Sequence, residues 1–264
     1  MRSYWAVVSA RFRMLLQYRA AAVAGFGTQL FWGLIRIMIF EAFYRSTTAS
    51  QPMTLPEVVD YIWLGQATFV MTLPYYLDLE ILTMVRSGTV VYELLRPLDL
   101  YSLWFSRSVA SRAAPTLLRA LPMFVAAGLF LGLRPPASVA SGAGWLLALL
   151  GALMLSCAIS TILSVSLLWT IAGEGLVQIL GSAGMILSGI VIPLPLFPDW
   201  AQTALNILPF RGLLDTPARI YSGNILPGEA LPLFAHQMAW TLAFVALGRL
   251  LLARGTLRLV AQGG

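Results

Sequence analysis

Six long apolar runs alternate with shorter polar segments along the chain, and each run suits a helix that crosses a bilayer. A hydrocarbon core of about 30 Å needs about 20 apolar residues in helical form. The runs extend over Ala22–Phe43, Val58–Leu77, Pro115–Leu133, Gly144–Ile171, Leu176–Ile192 and Ala235–Leu252; the fourth is long enough to tilt. The pattern predicts an all-α polytopic membrane protein of six transmembrane helices in one domain over residues 1–264.

Three stretches break the alternation. Residues 1–21 predict an amphipathic helix: Tyr4, Trp5, Val8, Phe12, Leu15 and Leu16 fall on one arc, and Arg2, Ser9, Arg13 and Gln17 on the other. An interfacial helix is favoured over a solvated leader. Residues 78–100, between the second and third spans, are too polar to span and too patterned for a plain loop. Residues 78–86 suit a short helix ended by Gly88, and Val90–Arg96 a second one closed by Pro97. Arg86, Glu93 and Arg96 are expected to be exposed there, as part of a docking element or of a solvated connector. Residues 193–232, between the fifth and sixth spans, carry seven prolines, yet Trp200–Leu208 and Phe210–Leu214 remain apolar and helix-compatible. Such broken apolar helices suggest a re-entrant or interfacial element.

Composition sharpens this picture. Of 264 residues, 59% are hydrophobic, and only 17 basic and 11 acidic residues give a net charge of +6. All 17 basic residues are arginine. Twelve arginines fall on the side of the termini and the 78–100 segment; four (Arg45, Arg134, Arg211 and Arg219) fall on the other; Arg36 lies inside the first span. That bias predicts cytoplasmic termini, and the expected location is a bacterial cytoplasmic (inner) membrane. The opening residues do not read as a cleavable signal peptide. One cysteine, Cys157, and one histidine, His236, exclude an internal disulfide, multi-cysteine metal sites and paired-histidine zinc motifs. No metal or cofactor site is expected. No phosphate loop is present, and the arginines are placed for membrane orientation and not for nucleic acid. No internal repeat supports an inverted-repeat transporter.

Three runs of residues carry a resemblance. Tyr4-Trp5 with Tyr18-Arg19-Ala20 opens the chain; Glu80 and Val85-Arg86-Ser87-Gly88 lead into Tyr92-Glu93-Leu94-Leu95-Arg96-Pro97-Leu98-Asp99; and Ser188-Gly189, Pro193, Phe197-Pro198-Asp199-Trp200 and Leu208-Pro209-Phe210 follow the fifth span. In this order they resemble the membrane subunit of ABC-2-type (type V) ABC transporters, in the small six-span viologen- and multidrug-exporter-like group. The resemblance implies a permease without enzymatic activity, paired with a second permease as a homo- or heterodimer, and ABC ATPase subunits that bind ATP and Mg. It implies export of a hydrophobic, cationic or lipid-like substrate. It also implies an elbow role for the leader helix and ATPase coupling through Arg86, Gly88, Glu93, Arg96 and Pro97. The outer re-entrant element takes its breaks at Gly189, Pro193 and Pro198. Candidate pathway residues on the second and fifth spans are Met71, Tyr75, Tyr76, Gln178, Ser182 and Met185.

Several residues keep two readings. Arg36 is expected to snorkel outward or pair with Asp60, and less so to touch substrate. Ala152, Ser156, Ser160 and Ser164 share one face of the fourth span, where close packing is favoured over a polar path because no charge accompanies them. Gly181, Gly184 and Ser188 read alike. Glu174 and His236 are expected to be solvated or capped, and Cys157 packed. An ATP-independent transporter or channel, or a membrane-embedded enzyme, are the alternatives. The enzyme lacks a metal cluster and paired intramembrane carboxylates, and the ATP-independent transporter lacks intramembrane charges other than Arg36.

Overall fold

The computed structural model describes residues 2–75, 78–169 and 174–256; Tyr76, the side chain of Glu174 and the predicted span ends at Leu77 and Ile171 lie outside them. Among the described residues the chain is all-helical. Four helices are long and apolar enough to cross a membrane: α2 (Arg19–Ser46), α7 (Leu100–Phe130), α8 (Val139–Ser166) and α12 (Ala230–Thr256). They match the first, third, fourth and sixth apolar runs.

The third run starts earlier than its hydropathy suggests. α7 begins at Leu100, not Pro115, and keeps both Pro115 and Pro122 inside it. Asp99 caps it, its carboxylate accepting from the Ser102 amide at 2.9 Å. A proline removes one backbone donor but does not end a helix that packing holds on either side.

The second and fifth runs are shorter. The second is divided into α3 (Leu55–Ala67) and α4 (Phe69–Thr72) at Thr68. The Thr68 hydroxyl donates back to the Leu64 carbonyl at 2.7 Å, and that of Thr72 to Thr68 at 3.2 Å. Such back-bonding bends helices. α3 starts with a capping box, the Glu57 carboxylate taking the Thr54 amide at 2.6 Å. The fifth run forms α9 (Glu174–Leu187), which ends before Gly189 at φ +84. At 1.5 Å per residue, α3 and α9 are each about 20 Å long.

The remaining helices lie at the two ends of the bundle. α1 (Arg2–Leu16), α5 (Leu79–Arg86) and α6 (Val91–Leu94) gather beside the start of α7 and the end of α12. α10 (Asp199–Ile207) and α11 (Asp215–Ser222), joined by a 3-10 turn at Pro209–Gly212, sit at the other end. α8 is the central post, packed against α12, α11 and α7. The main core lies between α3, α7 and α11 and is built on Tyr61, Ile62, Trp63, Met123, Leu214 and Ala218. Gln237, fully buried on α12, ties the layers by donating to the carbonyls of Ala148 at 2.9 Å and Gly212 at 2.6 Å. Gly151 and Gly212 leave the room it needs.

Candidate functional site

The α5–α6 element is built as a braced lever. Asp78 caps α5 by accepting from the Glu80 amide at 3.0 Å, and Gly88 (φ +72) turns the chain after it. Three carboxylates meet two guanidinium groups beneath the lever. Arg11 of α1 reaches Asp78 at 2.8 Å, Glu80 at 3.0 Å and the Ser111 hydroxyl at 3.1 Å. Arg107 of α7 reaches Glu93 at 3.0 Å and Asp78 at 3.6 Å, and also pairs with Glu80. Trp104 donates to Glu93 at 2.8 Å. Burial pushes the Glu80 carboxyl up, but the Arg107 charge and hydrogen bonds from Arg11 and Arg107 outweigh it and hold the group below its usual range. Asp99 is likewise held low: hydrogen bonds from Ser102 and the charge of Arg249 outweigh its partial burial. The same junction joins three helices, because the Asp99 amide donates to the Tyr4 hydroxyl at 2.9 Å and Arg249 of α12 to Asp99 at 3.2 Å.

This corrects the expectation that Glu93 is exposed. Glu93 is only 4% exposed, because Arg107 and Trp104 draw its carboxylate inward. Arg86, Arg96 and Pro97 are exposed, with Arg96 at 3.9 Å from Glu93. The exposed surface of the element mixes apolar and polar side chains: Leu79, Tyr92, Leu94 and Leu95 (76% exposed) stand among Glu80, Thr83, Arg86, Ser87, Thr89 and Arg96. The leader helix also differs from its expected form. Tyr4 and Val7 pack into the cluster around Tyr101 and Trp104, and Arg11 faces inward, while Trp5 stays exposed.

A second charge is deeper. Arg112, one of the twelve arginines assigned by sequence to the side of the termini, is completely buried. Its Nη1 donates to the carbonyls of Val70 at 3.0 Å and Leu73 at 3.1 Å, closing the C-terminal end of α4. Its Nη2 meets the Ser156 carbonyl at 3.4 Å and the Ser160 hydroxyl. Ser156 in turn donates to the Met71 carbonyl at 2.8 Å. The serine stripe of α8 is therefore accompanied by a charge, contrary to expectation. It packs closely and also binds that charge.

At the other end, Gly189 has no room for a side chain, since a Cβ there would collide with the Tyr61 hydroxyl. Tyr61 reaches Asp215 at 3.4 Å, and Asp215 pairs with Arg219 at 3.2 Å. Pro193 opens a 3-10 turn at Leu194–Leu196, and Pro198 precedes α10. His236 lies 3.1 Å from the Ile207 carbonyl, and Trp240 donates to the same carbonyl at 3.0 Å, so both cap α10. Asp60 does not pair with Arg36. It is taken by Arg134, which donates from Nη2 at 2.6 Å, Nε at 2.9 Å and the backbone amide at 2.9 Å. Arg36 instead donates to the Val191 carbonyl at 3.1 Å.

Arg36 lines an open groove of about 580 Å³ between α2, the α3–α4 break and the end of α9. Met185 lines it too. Met71 is buried against α8, Tyr75 is half-buried against Gly181, and Gln178 and Ser182 are exposed on α9. Cys157 is buried, and no cluster of metal-ligating side chains occurs among the described residues. Arg107, Arg112, Gln237 and the inward turn of Arg11 are the site residues that sequence reasoning missed. The run of small residues around Arg112 (Ala110, Ser111, Ala113 and Ala114) was the available signal, since small neighbours let helices close around a long side chain.

The arrangement offers a braced element at one end, an apolar groove along the bundle and no catalytic constellation among the described residues. A family model described as ABC-2 family transporter protein matches residues 30–263, which takes in every helix except α1 and the first part of α2. No curated protein and no solved structure matches the chain. The match spans most of the sequence, and the chain belongs to the ABC-2 family of transporter membrane proteins, the permease components of ABC transporters.

Proposed function

We propose that this chain is the permease subunit of an ATP-driven exporter in a bacterial inner membrane, with both termini cytoplasmic. The observation that carries the reading is the α5–α6 lever, braced beneath by Arg11 and Arg107 and exposing Tyr92, Leu94 and Leu95 beside Arg96. A coupling element must be stiff towards the spans and adhesive towards its motor. Tyr92, Leu95, Arg96 and Pro97 form the adhesive face; Gly88 and Glu93 form the bracing; Arg86 borders the face. A separate ATPase subunit holds ATP and Mg, and its closure moves the lever as a rigid body. α3–α4 and α9, completed by the segments that follow them, make the second and fifth of six crossings. α10 and α11 form the outer re-entrant cap, with breaks at Gly189, Pro193 and Pro198. Two permeases pair, and the groove beside Arg36 and Met185 is the substrate path.

Leu95→Asp combined with Arg96→Glu tests the docking face. Co-expressed with the ATPase encoded beside it, the variant is expected to retain folding and membrane insertion but lose most of the co-purified ATPase. Interface residues of this type cost about 2 kcal/mol or more when disrupted, roughly a thirtyfold loss of affinity. Full retention of the ATPase contradicts the docking assignment.

A further inference from the structure

We propose that the groove takes an anionic amphiphile, an apolar body bearing one carboxylate, sulfonate or phosphate, with Arg36 as its counter-ion. This rests on the groove being the transport path. Arg36 is the one charged side chain among the described groove residues. The nearby carboxylates are occupied elsewhere: Asp60 by Arg134, Asp215 by Arg219, and Glu41 faces Arg45 at 3.8 Å. Arg36 gives one donor to the Val191 carbonyl, and its Nε has no acceptor among the described residues.

A guanidinium carries five donors and does not lose its proton. Held in an apolar wall with a carbonyl as partner, it keeps an unbalanced positive charge, which is costly in a membrane and characteristic of a substrate route. An incoming anion removes that imbalance. Gln29 and Gln66 line the same groove, and both are buried. Their amides can donate to the remaining oxygens of the anion. Trp32, Phe40, Phe69, Met185 and Ile190 supply the wall for an apolar body. A hydrophobic cation of the same shape meets like-charge repulsion in a low-dielectric setting, so the groove discriminates against it.

The test uses nitrobenzoxadiazole-labelled dodecanoate and the matching dodecyl trimethylammonium. Each is titrated by fluorescence onto the full chain with its co-expressed partners in phosphatidylcholine nanodiscs, and ATP-driven flux is then followed in proteoliposomes. The dodecanoate probe is expected to bind about tenfold or more tightly than the cation, the value of one charge-assisted hydrogen bond. Arg36→Gln is expected to abolish that preference, and Arg36→Lys to keep most of it. The proposal is overturned if neither probe binds, if both bind equally, if the cation binds better, or if Arg36→Gln keeps the preference. It is also overturned if a preference emerges only in Glu41→Gln, which would make Glu41 of a second copy the counter-ion. Met185→Trp, which fills the groove, separates this idea from the one beneath it. Unchanged flux of both probes in that variant removes the path itself. Blocked flux without any charge preference in the native protein removes the anionic assignment alone.

Discussion

Arg107→Ala is expected to lower stability by about 3–5 kcal/mol, the cost of stripping a buried carboxylate of its partner. Arg107 touches Asp78, Glu80 and Glu93, and Glu93 is left with Trp104 as its remaining buried donor. Arg11→Ala should cost less, because Arg11 is more exposed and Arg107 still covers both of its carboxylates. Replacing the buried pair together, Arg107→Met with Glu93→Leu, is expected to recover part of the loss, since an apolar pair needs no desolvation but the Trp104 N–H loses its acceptor and Asp78 one of its two arginines. Chemical unfolding of the purified chain in detergent measures all three. An Arg107→Ala midpoint equal to the native one contradicts the bracing. Acid should act on the same joint. The folded pKa of Glu80 is depressed, so its contribution is complete above the ordinary carboxylate pKa and is lost as pH falls through the lowered value.

Arg112→Leu is the second large effect, about 2–5 kcal/mol. The substitution leaves the Val70 and Leu73 carbonyls at the end of α4 without their side-chain donor, and removes a partner of Ser160. Arg112→Lys is not expected to rescue it, because one ammonium cannot match the forked reach to α4 and α8 together. A cysteine placed at Leu73, in a Cys157→Ala background, gives a local readout. Maleimide labelling is expected to be slow in the native protein and faster in Arg112→Leu as the end of α4 works loose. Equal labelling rates contradict the assignment of Arg112 as the clamp on the segment that leads into α5.

Periodicity and turn chemistry made much of the architecture legible. Gly88 and Gly189 both adopt positive φ, which glycine alone takes without steric cost, and the prolines at 193 and 198 both precede new turns, where a fixed φ and a missing donor suit them. The apolar runs located four long helices because helix length and hydropathy are local properties of the sequence. Partnerships across the fold were not legible. Glu93 and Arg96 sit in one short polar stretch and look alike, yet one is buried and the other exposed, because Arg107 comes from a different helix. Asp60 offered Arg36 a partner by sequence, but Arg134 reaches Asp60 through both its backbone amide and its guanidinium. Thr68 shortened the second run by a hydroxyl–carbonyl bond that hydropathy does not register. The pairing of the charges depended on the fold.

The most direct measurement of the central claim is flux in proteoliposomes containing the purified chain, with and without the neighbouring ATPase. The expected result is transport of a labelled amphiphile only when ATPase, ATP and Mg are all present, and loss of that transport in the Leu95→Asp, Arg96→Glu variant. Transport at the same rate by the chain alone, without ATP, would contradict it.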